Sequence, residues 1–94
     1  MKCRIFGEVF LKEIYFSNKC FLFIDEENVV LASPLATGII NEYNLNFWDQ
    51  IKDDELNKDE IISNLITYLK NRDHECHLLE IKGIFVLTFY KLDI

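Results

Sequence analysis

Apolar and polar positions divide the chain into a strand-rich first third, an ambiguous middle, one helix and a closing hairpin. Val9–Phe16 concentrates Val, Ile, Phe and Tyr and predicts a first strand. Ser17-Asn18-Lys19 follows as a tight turn, because Asn tolerates the positive φ such turns demand. Cys20–Ile24 is then a second strand, and the polar run Asp25-Glu26-Glu27-Asn28 turns the chain into a third, Val29–Ala32, stopped by Ser33-Pro34. Two hairpins in succession make a three-strand antiparallel meander. Lys2–Phe6 either extends the first strand across a bulge at Gly7 or forms a short strand of its own.

The middle carries a weaker signal. Leu35–Gly38 is small in side chain and reads as flexible. Positions 39, 40, 43, 47 and 48 are apolar at helical spacing, but Asn41, Asn44 and Asn46 interrupt them, so Ile39–Trp48 is expected to be a loop with one or two helical turns. Asp49–Lys58 is mostly charged, with Ile51 and Leu56 as apolar anchors.

The helical pattern then becomes clear. Ile61, Ile62, Leu65, Ile66 and Leu69 fall on one stripe, Asn57 can cap its start, and Glu60 completes an Asn version of the capping box. Asp59 and Glu60 early, with Lys70 and Arg72 late, complement the helix dipole, and the helix is expected over Lys58–Asn71. Cys76–Ile81 and Ile84–Leu92 flank Lys82-Gly83 as a closing hairpin. Residues 84–87 are apolar on both faces, which predicts a central strand. The whole reads as one α+β domain over residues 1–94: an antiparallel sheet of about five strands, the meander plus the hairpin, with one main amphipathic helix on one face.

Composition agrees with this and narrows the function. A chain of 94 residues buries only about 60–65% of its unfolded surface. With 50% apolar residues, eight Phe and four Tyr, it can still build a core on rings. Glu8, Lys12 and Glu13 break the apolar run after Lys2 and Arg4, so no signal peptide is predicted. Cys20–Ile24 and Ile84–Tyr90 are far too short for a membrane span, and a cytoplasmic location is expected. Three widely spaced Cys without a CxxC fit a reducing compartment.

Charge is unevenly placed. The net charge is −6, and residues 42–60 carry Glu42, Asp49, Asp53, Asp54, Glu55, Asp59 and Glu60 against Lys52 and Lys58, while residues 61–94 balance to zero. Such a chain is repelled by phosphate and by anionic membranes, which argues against direct nucleic-acid or membrane binding. The acidic residues are consecutive and flanked by Lys and Asn, unlike the fold-spaced carboxylates of acid–base catalysis. With no Gly between positions 38 and 83, a calcium-binding loop is excluded.

Asp73-His74-Glu75-Cys76-His77 is the one cluster with ligand-type residues. Its spacing fits no standard zinc pair and is not HExxH. On a strand, His74 and Cys76 would share a face and His77 the other. The plainer expectation is a polar loop between helix and strand with Cys76 buried, and neither metal nor cofactor. Cys76 and His77 are sequence neighbours, a poor geometry for a nucleophile and its base.

The composition therefore points to a non-enzymatic domain that binds a basic protein. The reading is an acidic inhibitor, most naturally an immunity or antitoxin protein covering a nuclease toxin. The partner-facing residues would be Glu42, Tyr43, Trp48, Asp49, Asp53, Asp54, Glu55, Asp59 and Glu60. Trp48 is expected in the core and Tyr43 to be the more exposed of the two anchors. A phage-type inhibitor of a host nucleic-acid enzyme would use the same surface. A small structural or oligomerisation module, whose final strand adds to another chain's sheet, is the third class.

Overall fold

In the computed structural model, residues 20–93 are described; the expected strands at 2–6 and 9–16, the turn at 17–19 and Cys3 lie outside them. The first described strand, β1 (Cys20–Ile24), is apolar at every position and buried at every position. A polar turn follows, built on Asp25. Its Oδ1 accepts the backbone N–H groups of Glu27 (2.8 Å) and Val29 (2.9 Å), and Asn28 adopts the left-handed conformation with φ 64°. The chain returns as β2 (Val30–Ala32), one residue shorter than the predicted strand.

Ser33 joins the sheet to the helices. Its N–H donates to the Phe21 carbonyl (3.0 Å), and its Oγ accepts the Phe21 N–H (3.0 Å) and, as N-cap, the Ala36 N–H (3.4 Å). Pro34 then opens α1 (Pro34–Tyr43) at a position where no N–H is missed. A short helix, α2 (Phe47–Lys52), follows. These two helices stand where a flexible segment and a loop with one or two helical turns are expected over residues 35–48, so the helical content is greater than predicted. Ala36 and Ile40, and likewise Phe47 and Ile51, are spaced four apart and fully buried, so tertiary burial overrides the weak propensity of Thr37, Gly38 and the Asn residues.

α3 (Lys58–Asn71) has the predicted bounds, with the Asn57 side chain accepting the Glu60 N–H at 3.2 Å. Ile62, Leu65 and Leu69 are buried, flanked by half-buried Ile61 and Ile66. The last two strands are β3 (His74–Ile81) and β4 (Ile84–Lys91). Lys82 (φ 51°) and Gly83 (φ 82°) form the two-residue turn between them, the pair of positive φ values that a type I′ turn requires.

The described residues thus form an α+β fold with one four-stranded antiparallel sheet, ordered β2-β1-β4-β3, and three helices. The four predicted strands that fall within the described residues are all present and the class stands, while the expectation of one main helix is corrected to three among these residues. β4 is central, as its two-sided apolar pattern implied, pairing with β1 and β3. One sheet face presents Cys20, Leu22, Ile24, Phe85, Leu87 and Phe89 to the buried stripes of the three helices, forming the main core. On the other face Phe21 and Phe23 are buried beside Leu31, Ile84 and Val86. Every buried side-chain polar atom among the described residues has a hydrogen-bond partner. None of the described helices is long and apolar enough to cross a membrane.

Candidate functional site

The acidic segment runs from the end of α1 through α2 to the first turn of α3, and Glu42, Asp49, Asp53, Asp54, Glu55, Asp59 and Glu60 are all exposed. Local hydrogen bonds fix its centre. The Asp53 N–H closes α2 by donating to the Gln50 carbonyl (3.2 Å), and Asp53 Oδ1 accepts the Glu55 N–H (3.0 Å). Asp54 Oδ1 accepts Asn28 Nδ2–H at 2.6 Å. Asn28 Oδ1 in turn accepts Lys58 Nζ–H, so one amide ties the β1–β2 turn to both sides of the acidic loop. Asp59 and Glu60 lie at the N-terminus of α3, where the helix dipole favours negative charge.

The aromatic residues serve the core first. Tyr43 is half-buried rather than exposed, its ring 4.6 Å from that of Tyr68, which also carries the Arg72 guanidinium at 4.8 Å. Trp48 packs edge-on against buried Phe47 at 5.3 Å, and its indole N–H donates to Asn41 Oδ1 at 2.6 Å. Trp48 is only half-buried, because its other side lines a groove of about 580 Å³ along β2. Asn28, Val30, Ala32, Thr37 and Lys52 line the groove with it. Asn28 therefore belongs both to the groove and to the acidic loop, making Trp48 and Asp54 parts of one continuous surface.

Sequence reasoning singled out Trp48 and the carboxylates but missed the other half of this surface. β2, Asn28, Thr37 and Lys52 carry no motif. Only the position of Asn28, at the end of an acidic turn, hinted at a left-handed residue whose amide could reach elsewhere.

The His/Cys cluster lies on β3, not on a polar loop. Its register against β4 sets His74 and Cys76 on the helix-covered face and His77 on the opposite one. His74 Nδ1–H donates to the Leu69 carbonyl (3.2 Å), while the His77 ring stacks on Tyr90 at 6.3 Å. The described residues contain no group of three His, Cys, Asp or Glu placed to hold a metal ion. Burial pushes the Cys20 thiol above its ordinary pKa. Cys76 is also pushed up, by burial first and by Glu75, against the opposing effect of Lys70. Neither thiol is activated as a nucleophile. Cys20 and Cys76 both register with Phe89, from β1 and β3, which separates them by two strand spacings, about 9.5 Å, too far for a disulfide.

Comparisons with protein-family models, with curated proteins and with solved structures gave no significant match.

Proposed function

We propose that this chain is a non-catalytic inhibitor that binds a basic protein, as an immunity or antitoxin protein binds its toxin, through the joined surface of the acidic α2–α3 segment and the β2 groove. The observation that carries the reading is the Asn28–Asp54 hydrogen bond, which fixes an exposed acidic loop beside a groove lined by Trp48. Exposed carboxylates steer a basic partner toward contact and raise the association rate more than the final affinity. A half-exposed Trp whose polar end is already satisfied by Asn41 can act as the anchor that rim charges alone lack. A nuclease is the natural target class, because its substrate surface must be basic to hold phosphates. No cofactor is needed for such a role.

The test begins with a tagged pull-down from the source lysate at low and high salt. The triple variant Asp53→Asn, Asp54→Asn, Glu55→Gln is then measured against the captured partner by stopped-flow. The substitutions keep the acceptor oxygens that hold Glu55 N–H and Asn28, and remove only charge. At low salt, association should slow by about tenfold while dissociation changes little. An unchanged association rate at low salt overturns the reading.

A further inference from the structure

We infer that two copies of this chain pair edge to edge through β3, in antiparallel fashion, joining their four-stranded sheets into one of eight. The inference does not rest on the proposed inhibitor role, whose groove lies along β2 at the other edge of the sheet.

Among the described residues β3 is an outermost strand, eight residues or about 26 Å long, and it pairs with β4 without interruption from His74 to Ile81. The strand holds no Lys, no Pro, no Gly and no bulge, and its charged guards are Glu75 and Glu80 alone. Leu78, Leu79 and Ile81 are 46%, 51% and 45% exposed, and Tyr90 on the neighbouring strand is 51% exposed. β4, by contrast, is paired on both sides, so the final strand cannot add to another sheet.

The ladder's parity defines what the edge can accept. The Lys82-Gly83 turn makes Ile81 and Ile84 a hydrogen-bonded pair, so Leu79, His77 and Glu75 bond inward to β4. His74, Cys76, Leu78 and Glu80 are left with their N–H and C=O groups pointing outward. An antiparallel second copy centred on His77 opposite His77 uses all four. It sets His74 opposite Glu80 and Cys76 opposite Leu78, twice each, for about eight interchain hydrogen bonds. Shifting the centre to Leu78 leaves only Cys76, Leu78 and Glu80 paired within the strand. In the His77-centred register no carboxylate faces another carboxylate, and each Glu80 meets a His74.

Charge also selects a second copy over a basic protein as the occupant. Within the β3–β4 hairpin Glu75 and Glu80 are offset by Lys82 in the turn and Lys91 on β4, so the hairpin as a whole is neutral in a chain of net charge −6. Two copies can approach here without their net charges of −6 coming face to face.

Sedimentation velocity over about 1 to 500 µM tests the pairing, because an interface made mainly by one strand lies at the small end of specific contacts and is weak. The untagged chain should rise from monomer to dimer across this range. Leu78→Lys places a charge at the centre of the edge on an exposed side chain, and should hold the chain monomeric with an unchanged far-UV spectrum. Leu78→Pro removes an outward N–H that β4 does not use, and should do the same. Val29→Lys, at the exposed opposite edge, should dimerise like the parent. A monomer at every concentration, a dimer that survives Leu78→Lys, or one lost in Val29→Lys overturns the inference. So does a chain that stays monomeric and binds a different protein through an edge blocked by Leu78→Lys.

Discussion

Ser33→Ala isolates the joint between sheet and helices. Ser33 is 1% exposed, and its Oγ serves the Phe21 N–H of the central sheet and the Ala36 N–H of α1 at once. Removing the hydroxyl takes away a helix cap, worth about 1 kcal/mol. It also leaves the N–H of buried Phe21 without an acceptor, at about 1–3 kcal/mol. The expected loss is therefore about 2–4 kcal/mol, a large part of the stability of a domain this size. Asn57→Ala is the matched control, because that cap is exposed and serves only the Glu60 N–H, so about 1 kcal/mol should be lost. Urea titration followed by the fluorescence of the single Trp, Trp48, and by circular dichroism reads both variants. At an m-value of about 1.5 kcal/mol/M the Ser33→Ala midpoint should fall by roughly 1.3–2.7 M. Equal losses in the two variants would show that the hydroxyl acts only as a cap and that the Phe21 bond contributes nothing.

Two further outcomes follow from the core. Leu65→Ala should cost about 2–5 kcal/mol, since Leu65 is wholly buried on the α3 stripe; a near-zero change in urea midpoint would place that stripe outside the core. Burial raises the Cys20 thiol above its ordinary pKa of 9.0, so above about pH 9 the unfolded chain ionises before the folded one and stability falls as pH rises. Below that pH the contribution is constant. Urea midpoints between pH 8 and 10 should drop less steeply for Cys20→Ala than for the parent, and parallel slopes would refute the assignment.

How far the fold could be read from the residues depended on whether a signal was local. The stripe, the Asn57 cap and the dipole-matched ends of α3 are all contained in the helix, and its bounds were predicted. Lys82-Gly83 likewise specified its own turn. Ser33-Pro34 was ambiguous: it reads as a strand stop, yet a Ser cap followed by Pro is equally a helix start, and the helix it starts is stabilised by burial of Ala36 and Ile40 against the sheet. The side-by-side placement of β1 and β4 is a product of tertiary packing, with no short-range mark. The candidate surface shows the same divide. Its carboxylates and Trp48 stand out in composition, whereas Asn28 and the β2 groove become meaningful only when the turn after β1 is brought against Asp54.

The order β2-β1-β4-β3 also dictates a sequence of events during folding. Each outer hairpin closes from neighbours and can form within microseconds. The centre cannot, because Cys20 must find Phe89 and Ile24 must find Phe85 across a loop containing all three helices. Joining the halves is the slow, entropically costly step. During synthesis, Leu22 and Ile24 have no strand on their β4 side until Phe85–Phe89 have left the ribosome. Until then the most apolar of the described strands is half-covered, and protection from aggregation arrives with β4.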